Sequence, residues 1–201
     1  VTSCREIREA GYGAFESVKA FIDTFKHDPA DFAAICREFG MKPVSFYFHL
    51  SGDMDADIAD LKDKIGFVAD NGITTICIQA AGSRLPATAE QLKETVEGIS
   101  AFADICLPQG ITPCVHPHYE TLVMRENEID YVMEHTDPAR VGFAPDTAHL
   151  VAGGCDPYTV IKRYADRVKF AHLKDIRGAL KGGGMQDGVP VYENFRELGE
   201  G

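Results

Sequence analysis

Short apolar runs rich in β-branched and aromatic residues return along this chain, each separated from the next by one amphipathic helical stretch. The runs are YGAFE (12–16), PVSFYFH (43–49), TTICIQ (74–79), ITPCVH (111–116), RVGFAPD (140–146) and RVKFAH (167–172). Their ends recur about every thirty residues, the length of a strand–helix–strand unit. Between them, DPADFAAICREFG opens on Asp-Pro and closes on Gly, as helix ends prefer. DADIADLKDKIGFVADNG places Ile58, Leu61, Ile65 and Val68 on one helical face. TAEQLKETVEGISAFADICLPQG, ENEIDYVMEHT and DPYTVIKRYAD read the same way. Such alternation implies a parallel sheet wound by right-handed crossovers. The runs are apolar at successive positions, as strands buried on both faces must be.

A parallel α/β chain closes into a barrel or opens into a doubly wound sheet. No GxGxxG follows the first strand, as it often does in the open form. Each run instead ends on a polar residue: Glu16, His49, Gln79, His116, Asp146 and His172. A barrel gathers the carboxyl ends of its strands around one axis, which turns that series into a single site. The reading is a (β/α)8 TIM-barrel type, one domain over residues 1–201. Six runs fall short of eight, and such barrels take about 250 residues. The chain opens inside an apparent helix (SCREIREAGYG) and stops at FRELGEG with no further strand. The expectation is about six βα units, with the first strand and the last βα unit missing.

Composition excludes several classes of function. A formal charge of −11 argues against nucleic acid, whose phosphates an acidic surface repels. No apolar run approaches the roughly 18 residues of a membrane span, and VTSCREIREAGYG does not read as a signal peptide. The six cysteines form no CxxC, and several lie inside apolar runs, where cysteine acts as a small hydrophobe. That usage suits a reducing cytoplasm. Self-assembly into a homo-oligomer stays open.

GITPCVHPHYET sets His116 and His118 on one side of an extended strand end. PDTAHL places Asp146 and His149 after the next strand, where an Asp also serves as a helix cap. RVKFAHLKD ends a third strand on His172, followed by Lys174 and Asp175. Successive strand ends offering His, Asp and His point to one divalent ion, Mn, Co, Mg or Zn, with positions open for substrate. A cysteine-free ligand set argues against a closed structural zinc site. His49 and Gln79 stand where they can meet sugar hydroxyls, and KGGGMQDG (181–188) reads as a loop after a strand end, where barrels keep lids. His135, at a helix end, and His27, in a surface loop, read as structural.

The stretch from Gly110 to Arg177 resembles the sugar phosphate isomerase/epimerase superfamily of xylose-isomerase-like barrels. PDTAHLVAGGCDPYTVIKRYADRVKFAHLKDIRG is similar to inosose dehydratases and their relatives, and GYGAFES and FRELGEG also fit. The resemblance implies four metal-holding side chains at the ends of the fifth to eighth strands, commonly Glu, Asp, His and Glu. Asp146 and His172 match the second and third, and His116 stands where many relatives carry Glu. The fourth is expected beyond FRELGEG. By the same resemblance, His149 and Arg177 match substrate-contacting positions.

The implied activity is a metal-dependent sugar isomerase or epimerase, abstracting a proton next to a carbonyl through an enediolate. An inosose (keto-inositol) dehydratase shares that intermediate and stays open, as does a sugar-binding barrel without catalysis. A nuclease of the endonuclease IV kind fits the charge poorly. The substrate is a small sugar or cyclitol. Since the family's bases are the first and fourth carboxylates, His118, His149 and Lys174, with Glu120, become the candidates for proton transfer.

Overall fold

The computed structural model describes residues 2–178 and 191–201; the loop expected at 181–188 lies outside them. Helix α1 (Thr2–Glu9) leads into strand β1 (Ala14–Val18), and α2 (Lys19–Phe25) and α3 (Pro29–Phe39) follow. Then come β2 (Lys42–His49), α4 (Met54–Asp70), β3 (Thr75–Gln79), α5 (Ala89–Cys106), β4 (Thr112–Val115) and α6 (Glu126–His135). The chain continues through β5 (Gly142–Phe143), α7 (Thr147–Ala152), α8 (Pro157–Arg163), β6 (Asp175–Ile176) and β7 (Phe195–Arg196). Local chemistry sets the helix ends. Pro29 opens α3 and Gly40 closes it at φ +60°, a backbone that favours glycine. Thr88 and Gln91 form a reciprocal capping box at the start of α5.

Strands β1 to β5 form one parallel sheet in the order β1-β2-β3-β4-β5. That order has no reversal, so the sheet is wound in one direction, as in a barrel; a doubly wound sheet changes direction at a switch point. Phe46, Phe48, Ile76, Ile78, Val115 and Phe143 turn to one face and pack with Leu61, Val68, Ile99, Phe102 and Ile129 of the helices. At the other face Cys77, Cys114 and Ala144 form a small cluster edged by Tyr47 and Phe170. Cysteine, alanine and glycine keep this inner layer thin. A Cβ on Gly142 would stand 2.6 Å from the Cys114 Sγ. The described residues include no helix long and apolar enough to cross a membrane.

The structure revises the sequence reading at three places. Strand β1 extends to Val18, so Glu16 lies within it rather than at its end. The expected strand 167–172 does not form a continuous ladder. Val168 and His172 join Phe143 and Asp146 through separate parallel bridges. Pro145, lacking an N–H, breaks the ladder opposite, although its carbonyl accepts from the His172 amide at 2.9 Å. Finally, Phe195–Arg196, where no strand was expected, pairs antiparallel with Asp175–Ile176. Two-residue strands carry no alternation that a sequence pattern can reveal.

Candidate metal centre

His116 continues the line of β4, its amide bonded to the Ile78 carbonyl at 2.9 Å. The ring is buried, and Nδ1 lies 2.9 Å from the Ala144 carbonyl. A carbonyl only accepts, so Nδ1 carries the hydrogen and Nε2 presents a lone pair. Burial first, and then the neighbouring His172, hold this imidazole well below the usual histidine range.

Asp146 caps α7 and is wholly buried. Its Oδ1 accepts from the amides of Ala148 and His149, both at 3.1 Å. The cap and the ligand readings of this residue therefore coexist, one on each oxygen. Oδ2 is left free of the cap and faces Lys174, His172 and, at 3.9 Å, His149 Nε2. It stands 3.6 Å from His172 Nδ1 and 2.6 Å from the Lys174 ammonium.

His172 points Nε2 at Glu16 Oε2, 2.6 Å away, and leaves Nδ1 buried without a hydrogen bond. With the hydrogen on Nε2, the Nδ1 lone pair faces a carboxylate oxygen. Two acceptors face each other there, an arrangement that a cation between them stabilises. One ligand atom each from His116, Asp146 and His172 lies within 4.8 Å of the others. Imidazole nitrogens near 2.0–2.1 Å and a carboxylate oxygen near 2.0–2.2 Å from one ion give separations of about 3–4 Å. The donor set fits a divalent ion of the zinc or manganese type.

A cavity of about 480 Å³ opens beside these residues. Gln79, His118, His149 and Lys174 give it polar walls, and Tyr47, Tyr192 and Phe195 give it aromatic ones. His118 and His149 lie ring to ring, centroids 3.7 Å apart. Their hydrogen bonds assign complementary tautomers. His118 Nδ1 lies 2.8 Å from the Tyr119 carbonyl, so it carries the hydrogen and leaves Nε2 a lone pair. His149 Nδ1 accepts from the Tyr119 amide at 3.3 Å, so the neutral ring keeps its hydrogen on Nε2. Burial is the main cause that lowers both pKa values, and the Lys174 charge adds to it. One residue, Tyr119, thus sets an acceptor and a donor side by side.

The loop that carries His118 is tied to its neighbour. Gly82 bridges Thr121, and the Leu122 amide reaches the Ala81 carbonyl at 2.9 Å. The buried Glu128 carboxylate accepts from the amides of Ala87, Met124 and Arg125 at 2.9–3.1 Å.

Two expected substrate contacts stand elsewhere. His49 ends β2 exposed and does not line the cavity; it shares the face of Tyr47, which does line it, but stands two residues further along, at the end of the strand. Arg177 is exposed and donates to the Glu200 carbonyl at 3.1 Å, held by the β6–β7 pair. Glu120 pairs with Arg84 at 3.1 Å instead of facing the cavity. His135 bonds back to the Tyr131 carbonyl at 2.8 Å, and His27 is exposed.

Tyr47, Tyr192 and Phe195 were not among the expected site residues. The inward parity of PVSFYFH signals Tyr47, whereas the two C-terminal rings lie in a segment with no periodicity. Glu16 was expected among the strand ends gathered at the site, but not its contact with His172, 156 residues away.

The family model described as "Xylose isomerase-like TIM barrel" matches residues 4–201. An inosose dehydratase of Geobacillus kaustophilus (strain HTA426) is 30% identical over 190 residues, which cover 86% of this chain and 60% of the relative. The chain therefore spans less than two thirds of that protein's length. Among solved structures, the IOLI protein with a bound zinc atom superposes with a TM-score of 0.75 at 16% identity, covering 93% of this chain and 72% of its own. D-psicose 3-epimerase in the presence of D-fructose gives 0.73 at 17% identity, covering 88% and 68%. At these identities the two structures establish likeness of fold.

Proposed function

The chain belongs to the xylose isomerase-like TIM barrel family, and from that premise we propose a metal-dependent enzyme that abstracts a proton next to the carbonyl of a sugar or cyclitol. The observation that carries this reading is the convergence of His116, Asp146 and His172 within 4.8 Å, beside the His118–His149 pair. A divalent ion held there supplies Lewis acidity to a carbonyl and a neighbouring hydroxyl oxygen. Zinc, reported with the IOLI protein, is one ion that suits the donors.

This chain's residues supply the rest. His118 Nε2, a lone pair facing the cavity, takes the proton from carbon. The loss leaves an enediolate, whose charge the Lys174 ammonium offsets across the same space. His149 presents Nε2–H and delivers a hydrogen to an oxygen. Gln79, which accepts from the Tyr47 hydroxyl, has its amide hydrogens left to bind a sugar hydroxyl. Tyr47, Tyr192 and Phe195 cover the pocket and limit water at the proton-transfer step.

Three outcomes share that intermediate. Returning the proton to the opposite face gives an epimer, and returning it to the next carbon gives an isomer. Loss of a β-hydroxyl, protonated by a donor such as His149, gives dehydration. The sequence similarity to inosose dehydratase over most of the chain favours dehydration of a keto-cyclitol. Epimerisation of a ketose is the second reading, favoured by the fold shared with D-psicose 3-epimerase.

The test is to incubate the metal-loaded protein with a keto-inositol and with a 2-ketohexose in D2O. Loss of one water from the keto-inositol is the expected result. A ketose epimer carrying solvent deuterium would select the second reading. Saturable sugar binding with no exchange at carbon would overturn both and leave a sugar-binding barrel.

A further inference from the structure

The contact between Glu16 and His172 joins β1 to the bridged segment after α8, two parts of the chain with no backbone pairing between them. Glu16 reaches it because β1 shifts register between Phe15 and Glu16, so that Glu16 pairs with Ser45. Ser45 and Cys77 lie beside the carboxylate and are fully buried. The His172 ring has little freedom. Its amide is bonded to Pro145 and its carbonyl to Thr147, at 2.9 and 3.1 Å. Phe170 meets it edge-on at 5.5 Å, and Tyr47 stacks at 6.4 Å.

We propose that Glu16 is a positioning residue for His172, its carboxylate accepting the Nε2 hydrogen and thereby fixing the tautomer that turns Nδ1 toward Asp146 and His116. An imidazole has one hydrogen to place when neutral, and an acceptor on one nitrogen frees the lone pair of the other. A carboxylate behind a ligating histidine also raises its basicity and locks its orientation. Glu16, Cys77 and His172 also offer donor atoms within 4.8 Å of one another. His172 Nε2 is already engaged there, 2.6 Å from the carboxylate. A single ion on the Nδ1 side is therefore the arrangement this geometry favours. The proposal rests on the metal reading above, and its test separates the two.

The tautomer of His172 is read in the metal-free protein by long-range 15N–1H NMR of the imidazole rings, and cobalt(II) binding is then measured by titration. Wild type, Glu16→Gln and Glu16→Ala are compared, with thermal melting to establish that each is folded. In wild type His172 shows the Nε2–H form alone and the protein binds one cobalt per chain. Glu16→Ala mixes the tautomers and weakens cobalt binding by about 10–100-fold. Glu16→Gln, which keeps an acceptor oxygen, restores the single tautomer and most of the affinity. Unchanged tautomer and affinity in a folded Glu16→Ala protein would overturn the proposal. So would two cobalt ions per wild-type chain, one of them lost with Glu16. If wild type binds no cobalt, the metal reading fails, and the tautomer comparison alone decides the role of Glu16.

Discussion

Asp146 shows how one side chain serves structure and chemistry together. Its Oδ1 holds the first amides of α7, while Oδ2 is left facing His172 and Lys174. Buried carboxylates are stable only when paired or bonded, and here each oxygen has a separate partner set. The adjacent His118 and His149 divide acceptor and donor through a single residue, Tyr119. Replacing His118 by Gln removes the proton acceptor and leaves His116, Asp146 and His172 untouched. Turnover should fall by about 10²–10⁴-fold, while cobalt affinity stays within a few-fold of wild type. A kinetic comparison at saturating substrate checks this. Full activity in His118→Gln would move the base to another residue. His116, Asp146 and His172 were legible in the sequence because each stands at or just beyond a strand end, where the pattern changes from apolar to polar. The pairing of Glu16 with His172 was obscured because the partner comes from a distant segment. His49 misled because parity, which it shares with Tyr47, sets the face of a strand and not how far along it the cavity reaches.

At the scale of elements, the site depends on how helices and loops hold the sheet. Phe32 of α3 packs against Phe15, Phe21, Phe25, Phe46 and Phe67, with ring centroids 5.2–6.5 Å apart. Beside it, Lys64 of α4 is buried and pairs with Asp23 of α2 at 3.0 Å and with Asp60 one turn earlier. Lys64 is the main cause that lowers the pKa of Asp23. For Asp60, burial raises the pKa, but Lys64 and Lys19 outweigh it and the net shift is downward. A carboxylate depressed in the folded state contributes stability that is present above its unfolded pKa, about 3.9, and is lost as pH falls through the folded value. Denaturant unfolding of wild type should therefore lose stability steeply below about pH 4. Lys64→Met should be less stable at neutral pH and show a shallower acid slope. Parallel pH curves for the two proteins would contradict this assignment. None of the network could be read beforehand: the periodicity of α4 reveals its apolar face, but not that a lysine lies buried beside it. The helices were found from capping and spacing. The last strand was broken by Pro145, and the β6–β7 pair is too short to leave a pattern.

For the whole molecule, the strand order β1-β2-β3-β4-β5 is the feature that makes the strand-end residues one site. In a sheet wound in one direction, successive strand ends approach a common axis, so that residues 116, 146 and 172 meet although about thirty residues separate each from the next. The same order was implied by the repeat of apolar runs, which is why the fold was the most legible part of the sequence. Its chemistry was less so, because epimer, isomer and dehydration product share one intermediate and one set of ligands. Fold alone does not choose among them.

The central claim is that His116, Asp146 and His172 hold one divalent ion. Cobalt(II) titration of the metal-free protein, followed by visible absorption in wild type and Asp146→Asn, tests it most directly. The amide keeps the Oδ1 cap of α7 and removes the charged oxygen. One saturable cobalt per wild-type chain, with nitrogen–oxygen ligation bands that disappear in a folded Asp146→Asn protein, is the predicted result. A wild-type protein that does not saturate, or an Asp146→Asn variant that binds equally well, would contradict it.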